Sequence, residues 1–379
     1  MTGELVFVGG GHAHLTALVR MADYIRRGHR VTLISPVTHH YYSGMGPGML
    51  SRIYAPEDIR FHLEKLAADR GASFIKGRVV RVRPADRLLI LESGREVSYD
   101  VVSFNTGSSV PTNLATDGMK NVFPVKPIVN LLKAQRTILD MIAGGKPHIV
   151  VAGGGPAGVE LSGNIHRLVS EHGGEADITL VSGGKLLPSL PDKVRKLVLV
   201  SFQNRCIRVL EHSPVIRIED GETVLLEGTR LRHDVVFLAL GVKPSPLFKA
   251  SGLPVGDEGG LLVNDYLQSV GHPEMFGGGD CVSFQSLSLD KVGVYAVRQN
   301  PVLHHNLMAA LEGGQLERFL PQKVYMLIFN LGDGTGIFVR KKWVWNGRSA
   351  FLLKDYIDRA FMRKFQVSGE REDHSDAPE

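Results

Sequence analysis

Short apolar stretches bounded by glycine, proline or aspartate recur along the chain and predict β-strands. Two of them, Leu5 to Val8 and His148 to Ala152, lead into glycine-rich loops, and helix-forming segments follow to about Arg27 and Glu171. The same strand, loop and helix pattern therefore occurs twice, which predicts two related βαβ units. The second strands of these units are predicted at Arg30 to Ile34 and Asp177 to Val181, and further strands at Val79 to Val82, Leu88 to Leu91, Val101 to Phe104, Val235 to Ala239 and Leu261 to Val263.

The second glycine loop has the complete G-x-G-x-x-G pattern, with Gly153, Gly155 and Gly158. A pyrophosphate is bound by backbone N–H groups at a helix N-terminus, and glycines are needed where a side chain would block its approach. One such loop is weak evidence, because many glycine-rich turns bind nothing. Two loops in the same strand and helix context predict two dinucleotide sites.

The first glycine loop is irregular. Gly9, Gly11 and the small Ala13 allow a close phosphate approach, but His14 stands where the third glycine is expected. We expect this bulkier residue either to loosen the packing of helix against strand or to change how the helix leaves the loop.

The end of the second strand of each unit lacks the acid that usually binds the ribose hydroxyls. Ser35 and Ser182 stand there instead. A serine can bind a ribose, but it does not repel a 2′-phosphate as a carboxylate does, so the choice between NADH and NADPH stays open.

Two stretches, Tyr99 to Gly107 and Met275 to Asp280, resemble the FAD signatures of the pyridine nucleotide-disulfide oxidoreductase superfamily, and Asp234 to Pro244 extends the resemblance. The resemblance implies that the first unit and the Gly-Asp segment hold FAD, while the middle unit holds NAD(P)H. It implies that Asp280 contacts the ribityl or phosphate part of FAD and that Glu160 lies near nicotinamide and flavin. Further cofactor contacts are implied for His12, Thr106, Gly107, Gly241 and Gly279.

The branch of the superfamily is indicated by the cysteines. Disulfide reductases and sulfide:quinone reductases use paired cysteines, whereas this chain has only Cys206 and Cys281, far apart in the sequence. The chain therefore resembles the type II NADH dehydrogenases, whose helix after the Gly-Asp motif carries a glutamine near the quinone. That resemblance makes Gln299 the candidate for quinone contact.

Other segments are similar to the flavoprotein module that is fused ahead of selenide, water dikinase in some organisms. They are His12 to His14, Tyr42 to Gly48, Val125 to Pro127 and Leu353 to Phe365. By this resemblance Pro47 and Lys126 line the flavin, and Lys126 stabilises the electron-rich N1–O2 side of the reduced ring. His12, His14, His39 and His40 have no carboxylate at ligand spacing, so we expect no metal site.

These observations predict two nested, Rossmann-like three-layer dinucleotide-binding domains and a C-terminal segment that ends in an amphipathic helix. The FAD-binding domain is expected at 1–115 and 250–315, and the NAD(P)-binding domain at 116–249. A C-terminal segment for an interface or membrane docking is expected at 316–367, followed by a disordered tail at 368–379.

The C-terminal segment is strongly basic, and its local net charge of +6 exceeds that of the whole chain. The chain has a net charge of +5, and the stretch from Arg340 to Phe365 alone contains eight basic and two acidic residues. Its helix is expected to cap its own domain or to lie on an anionic lipid surface. The apolar side is predicted to contain Leu352, Leu353, Tyr356, Ile357, Ala360, Phe361 and Phe365, and the polar side Lys354, Asp355, Asp358, Arg359, Arg363 and Lys364.

We therefore predict a cytoplasmic FAD-dependent NAD(P)H dehydrogenase that passes two electrons to a quinone, peripheral on the inner face of the membrane when it docks there. No signal peptide or membrane span is expected. Two alternatives are a flavoenzyme with a reduced sulfur or selenium donor and a redox-sensing flavoprotein of low turnover. A homodimer stays open, and the basic segment has no motif that reads nucleic acid.

Overall fold

The chain folds around two five-stranded parallel sheets. The computed structural model describes residues 2–115, 118–322 and 324–370. In chain order the strands are β1 (Glu4–Val8), β2 (Arg30–Ser35), β3 (His39–Tyr41), β4 (Arg60–His62), β5 (Ser73–Lys76), β6 (Val79–Arg83), β7 (Leu88–Leu91), β8 (Glu96–Ser98), β9 (Val101–Phe104), β10 (Ser108–Ser109), β11 (Val122–Pro124), β12 (His148–Ala152), β13 (Asp177–Val181), β14 (Arg208–Leu210), β15 (Val215–Glu219), β16 (Glu222–Leu225), β17 (Arg230–Arg232), β18 (Val235–Leu238), β19 (Lys243–Pro244), β20 (Leu261–Val263), β21 (Met275–Gly277), β22 (Val282–Phe284), β23 (Leu327–Asn330), β24 (Gly336–Arg340) and β25 (Trp343–Gly347).

The α-helices range in length from four to 20 residues. They are α1 (Leu15–Val19), α2 (Met21–Arg26), α3 (Gly46–Leu50), α4 (Leu63–Ala68), α5 (Val129–Gly144), α6 (Pro156–Glu171), α7 (Asp192–Gln203), α8 (Leu247–Ala250), α9 (Gly293–Glu312) and α10 (Arg348–Phe365). Short 3-10 helices cover His12–His14, Ser43–Met45, Pro56–Ile59 and Gly279–Cys281.

The first sheet has the strand order β21-β9-β1-β2-β5, and all its pairings are parallel. Leu5, Val6 and Phe7 of β1 are fully buried, because one face of the sheet packs against α1, α2 and α9 and the other against β6, β7 and α8. Burial on both faces explains why this strand is continuously apolar rather than alternating.

The second sheet has the parallel order β11-β18-β12-β13-β14 and contains the complete glycine loop. The two units are connected by β10 and β19, which pair antiparallel where the chain passes from the first unit to the second and back. Leu247 and Phe248, which the sequence assigns to the middle unit, pack in a core cluster of the first unit. The return to the first unit therefore comes a few residues before the expected boundary at 250.

The C-terminal segment contains an antiparallel sheet, β23-β24-β25, that the sequence did not predict. It packs with α10 against α6 and α7 of the second unit. The first residues of the expected tail are packed rather than free, since Ser368 and Glu370 are buried, while 371–379 lie outside the described residues.

The helix α10 confirms the predicted C-terminal helix, but its buried side differs from the prediction. Asp358, expected on the polar side, is only 5% exposed, and Lys354 lies beside it. Leu352 and Tyr356, expected on the apolar side, are 54% and 67% exposed. The helix therefore caps its own domain through Met362 and Phe365. Among the described residues, no helix combines the length and the apolar character that crossing a membrane requires.

Candidate cofactor and electron-transfer site

The first glycine loop packs so closely against Asn105 that only glycine fits at two of its positions. Gly9 has φ +89°, and a Cβ atom there would lie 2.3 Å from the carbonyl oxygen of Asn105. A Cβ at Gly11 would lie 2.5 Å from Oδ1 of Asn105. The helical segment that follows begins at His12, and no side chain caps its N-terminus. Its free N–H groups can therefore bind an anion.

His14 replaces the third glycine by forming hydrogen bonds inside the unit. Its Nδ1 donates to the carbonyl oxygen of Gly9 at 2.7 Å, and its Nε2 accepts from the Ser103 hydroxyl at 2.8 Å. Burial lowers the pKa of His14 to about 4, so the ring is neutral. The loop continues as a 3-10 helix, and the predicted single helix is divided at Arg20 into α1 and α2. The expected change in how the helix leaves the loop is confirmed, whereas the packing is not loosened.

The second glycine loop is tight at every glycine except one. A Cβ atom added to Gly153 would lie 2.1 Å from the carbonyl oxygen of Ala239. A Cβ atom added to Gly158 would lie 1.8 Å from the carbonyl oxygen of Gly153. At Gly155 nothing lies within 4 Å of an added Cβ, and Gly155 is the N-cap residue before α6, with no side-chain hydrogen bond capping the helix. The open space lies at the helix N-terminus, where a pyrophosphate would approach.

The two serines in the ribose positions are buried. The hydroxyl of Ser35 donates to the carbonyl oxygen of Val37 at 2.8 Å. The hydroxyl oxygen of Ser182 lies 2.0 Å from the position that a Cβ atom added to Gly154 would take. Both hydroxyls thus take part in packing their own loops, and their contact with a ribose stays a prediction.

An ion pair connects the two units at the expected flavin position. The ammonium group of Lys126 lies 2.6 Å from Oδ2 of Asp280 and 3.1 Å from the hydroxyl of Ser108. The hydroxyl of Ser108 also donates to Asp280, at 2.7 Å. Burial would raise the pKa of Asp280, but the charge and hydrogen bond of Lys126 and the bond from Ser108 outweigh it and lower the pKa. Asp280 is therefore an anion that holds a cation beside it.

Gln299 stabilises the same loop. Its Oε1 accepts from the backbone N–H of Gly279 at 2.6 Å, and its side chain is 2% exposed. Gln299, Gly279 and Asp280 border a cavity of about 680 Å³ that reaches the beginning of α9. Contact of Gln299 with a quinone stays a prediction.

Asn105 is a candidate contact that the sequence analysis missed. Its amide lies beside Gly11 and Gly279, and its Nδ2 is buried without a hydrogen-bond partner. A buried donor between two glycine loops fits an oxygen-rich ligand. The signal in the sequence was a polar residue directly before Thr106 and Gly107, which were named instead.

Glu160 belongs to a buried network that joins α6 to the C-terminal helix. Its Oε1 accepts from the backbone N–H of Asn330 at 2.7 Å. Burial raises the pKa of Glu160 to about 7, although the nearby positive charge of Lys354 by itself lowers that pKa. Lys354 donates to Asp358 and to the carbonyl oxygen of Gly44, each at 2.7 Å. The carboxyl group can therefore exchange a proton near neutral pH.

The other sequence candidates lie around these groups. Pro47 is buried in α3, and Ala13 is buried under the first loop. Gly107 and Gly241 have φ +68° and +89° at the ends of β9 and β18, with open space where a side chain would be. Gly279 has φ +73°.

The two cysteines lie in different environments. Cys281 is buried, and its thiol donates to the carbonyl oxygens of Phe104 and Gly278, whereas Cys206 is exposed. Within the described part of the chain, no three histidine, cysteine or acidic side chains lie close enough together to hold a metal ion.

These residues fit a flavin dinucleotide in the first unit and a nicotinamide dinucleotide in the second. Each unit has an uncapped helix N-terminus after a crowded glycine loop, and the first also has the unpartnered Asn105 amide. A family model described as pyridine nucleotide-disulphide oxidoreductase matches residues 3–309.

The chain belongs to the pyridine nucleotide-disulphide oxidoreductase family. This membership confirms the predicted fold class and the prediction of an oxidoreductase. Among sequence relatives, ferroptosis suppressor protein 1 of Xenopus laevis is 26% identical over 361 residues, which are 88% of each chain.

Two solved structures show the same fold as this family member. NDH2 of Plasmodium falciparum in complex with NADH superposes with a TM-score of 0.83 at 15% identity, over 98% of this chain and 96% of that one. The sulfide:quinone oxidoreductase of Aquifex aeolicus gives a TM-score of 0.81 at 17% identity, over 97% of this chain and 92% of the other.

Proposed function

We propose that this protein is an FAD-dependent NAD(P)H dehydrogenase that passes electrons to a quinone. The observation that carries the proposal is the ion pair of Lys126 with Asp280, which joins the flavin unit to the nicotinamide unit beside the paired strands β10 and β19. FAD, when bound, supplies the redox chemistry by accepting a hydride and releasing two electrons. The names of the similar proteins, an NDH2 bound to NADH and a sulfide:quinone oxidoreductase, support the same reaction class.

The protein contributes binding, orientation and proton handling. The uncapped N-termini after Gly11 and Gly155 would bind the pyrophosphates, and Asp280 and Asn105 would hold the flavin dinucleotide in the first unit. Lys126 places a positive charge where a reduced flavin becomes negative. Glu160 holds a proton on its carboxyl group near neutral pH, within the charge field of Lys354.

A sulfur donor is the weaker candidate. Enzymes that hold sulfur on the protein need two thiols close together, and here one cysteine is buried against backbone oxygens while the other is exposed. The nicotinamide reaction has a dedicated glycine loop, whereas a thiol relay has no partner for Cys281.

The proposal includes docking on an anionic membrane through the hairpin of β24 and β25 and the outer side of α10. Trp343 is 74% exposed beside the tip residues Lys341 and Lys342, and Leu352 and Tyr356 are exposed on α10. Tryptophan and tyrosine favour the lipid headgroup region, and each basic residue adds about 1 kcal/mol near an anionic surface. Docking would bring the protein to a lipid-soluble quinone.

Anaerobic mixing tests the dehydrogenase. The purified yellow protein is mixed with NADH and then with NADPH while the flavin absorbance is followed, and a soluble quinone is added afterwards. Bleaching by a nicotinamide that quinone reverses supports the proposal. Absence of bleaching with both nucleotides overturns it and favours a sulfur or selenium donor.

Co-sedimentation with vesicles tests the docking surface. Wild type is expected to bind phosphatidylserine vesicles more strongly than phosphatidylcholine vesicles, and Trp343→Ser should reduce that binding several-fold. Leu226→Ser is the matched control, because Leu226 is 64% exposed in the turn between β16 and β17, outside the proposed docking surface. Equal losses in both variants, or no binding by wild type, would refute the docking surface. Deletion of α10 is unsuitable, since its inner side belongs to the core.

A further inference from the structure

Two histidines beside the proposed flavin position have no hydrogen-bond partner for a buried ring nitrogen. His12 follows the first glycine loop, His40 lies in β3, and their ring centroids are 4.9 Å apart. Nε2 of each ring is inaccessible to solvent and unpartnered. A buried polar atom without a partner destabilises the folded state unless a ligand bonds it. By contrast, both ring nitrogens of His14 are bonded.

The walls around this pair are aromatic. Tyr42 lies 5.3 Å from the His12 ring, and Phe361 of α10 lies 6.2 Å from His12 and 4.7 Å from Tyr42. Phe61 stacks on His40 at 6.2 Å, with an interplanar angle of 17°. The hydroxyl of Tyr42 donates to Asp358 at 3.1 Å. Flat faces with a few polar atoms between them suit a flat ring that carries oxygens.

A groove on the protein surface borders this aromatic cluster at Phe361. It has a volume of about 740 Å³ and lies between α1, α9 and α10. Phe361 belongs to both, because it lines the groove and contacts His12 and Tyr42. Val297 and Pro301 make part of the apolar wall. An apolar molecule in the groove would therefore contact Phe361, the residue that the groove shares with the aromatic cluster.

The two imidazoles are neutral hydrogen-bonding groups. Burial, with the charge of Lys126 as the second cause, lowers the pKa of His12 to about 4. Burial also lowers the pKa of His40 well below its usual range. A neutral imidazole has one N–H donor and one acceptor nitrogen, so each ring can donate to a carbonyl oxygen without carrying charge.

We propose that His12 and His40 bind a carbonyl oxygen of the quinone, whose ring lies against Phe361 and Tyr42. This deepens the proposed function and rests on it for the identity of the acceptor. In the overall reaction, the hydride of NAD(P)H supplies two electrons and one proton, and solvent supplies the second proton. The quinone becomes a quinol and the nicotinamide is oxidised. The apolar groove admits the quinone, and the imidazoles position its oxygen.

The test compares two acceptors after the flavin has been reduced photochemically, without nicotinamide. His40→Phe removes the donor and keeps an aromatic ring. We expect its reoxidation by a short-chain ubiquinone to slow by about tenfold or more, the loss of one hydrogen bond. Its reoxidation by ferricyanide, which needs no carbonyl contact, should change by less than about twofold. The dissociation constant for the quinone, from quenching of flavin fluorescence, should rise in parallel.

Three further variants make the result decisive. His39→Phe, on the same strand, is the matched control and should behave as wild type. His40→Gln restores a side-chain N–H and should recover part of the quinone rate, which excludes a folding defect as the cause. His12→Phe should reproduce the loss of quinone binding. Unchanged quinone rates in both His12→Phe and His40→Phe, or equal slowing with both acceptors, would overturn the proposal.

The photochemical reduction separates this proposal from the proposed function. A wild-type protein that is not bleached by NADH or NADPH but is reoxidised rapidly by quinone contradicts the dehydrogenase and leaves the acceptor site standing. If nicotinamide bleaches the protein but neither histidine variant changes the quinone reaction, the dehydrogenase stands and the acceptor site is contradicted.

Discussion

The contact between α6 and the turn after β23 offers a sharp test of how the units are held together. Gly163 lies in α6, and a Cβ atom there would lie 2.2 Å from the carbonyl oxygen of Leu331. The contact is reciprocal, because a Cβ at Gly332 would lie 2.2 Å from the carbonyl oxygen of Gly163. Backbone therefore touches backbone, and Gly163→Ala has no flexible side chain to displace.

The cost follows from the distance. To reach an ordinary contact of 3.4 Å, the turn must move by about 1 Å. Overpacking of this kind costs about 1–3 kcal/mol. The movement also weakens the hydrogen bonds of Asn330 to Glu160 and Asn164, each of which contributes about 1 kcal/mol. Alanine also favours the helical conformation over glycine by up to about 1 kcal/mol, which offsets part of this cost. We therefore expect a net loss of about 2 kcal/mol in the free energy of unfolding.

The assay is thermal unfolding of the FAD-loaded protein, followed by circular dichroism. Gly163→Ala should lower the midpoint by about 2–3 °C, the shift that a loss of about 2 kcal/mol produces in a chain of this length. Gly144→Ala is the matched control, because Gly144 is also helical and nothing lies within 4 Å of its added Cβ. It should leave the midpoint unchanged or raise it slightly. A Gly163→Ala protein that melts at or above the wild-type temperature would refute the tight contact.

Three other predictions address charge and cofactor binding. The pKa of Glu160 is raised from 4.5 to about 7, so its contribution to stability is complete below pH 4.5 and is lost as pH rises to 7, by about 3 kcal/mol. Glu160→Gln should therefore melt higher than wild type at pH 8 and equally at pH 5, and parallel pH curves would contradict this. Asp280→Asn leaves Lys126 without its anion and should cost about 2 kcal/mol and lower flavin retention. Adding Lys126→Met should recover part of the lost free energy of unfolding, and strict additivity in a double-mutant cycle would rule out the pair. Gly155→Val fills only open space, so it should preserve the melting temperature and the flavin content while the KM for NADH rises at least about tenfold; an unchanged KM would show that the pyrophosphate lies elsewhere.

Local patterns in the sequence were enough for the two units. The strands at Leu5 to Val8 and His148 to Ala152, their glycine loops and the following strands appear where they were predicted. The reason is that burial on a sheet and the φ values of glycine depend on neighbouring residues, and these leave a pattern over a few positions. His14 shows the same, because one bulky residue in a known motif predicted a change at the beginning of the helix, and the structure has one.

Contacts between distant residues needed the tertiary structure. Lys126 and Asp280 are 154 residues apart, and nothing local in either segment indicates that they pair. Asp358 has the sequence pattern of an exposed helix residue, yet it is buried because Lys354 and Tyr42 neutralise and bond it. Helical spacing records which residues share a side, but only packing against β23 and β24 decides which side faces the core.

The candidate acceptor site also depends on contacts between distant residues. From the sequence, the histidine pairs had no metal-ligand pattern, and His14 has a structural role in the fold because both its ring nitrogens are bonded. His12 and His40 become candidates for ligand binding only in the folded structure. There they lie together beside Phe361 of the C-terminal helix, each with an Nε2 that has no hydrogen-bond partner. Local sequence determines strands, loops and helices, whereas a site built from three distant segments exists only once hydrophobic burial has brought those segments into one core.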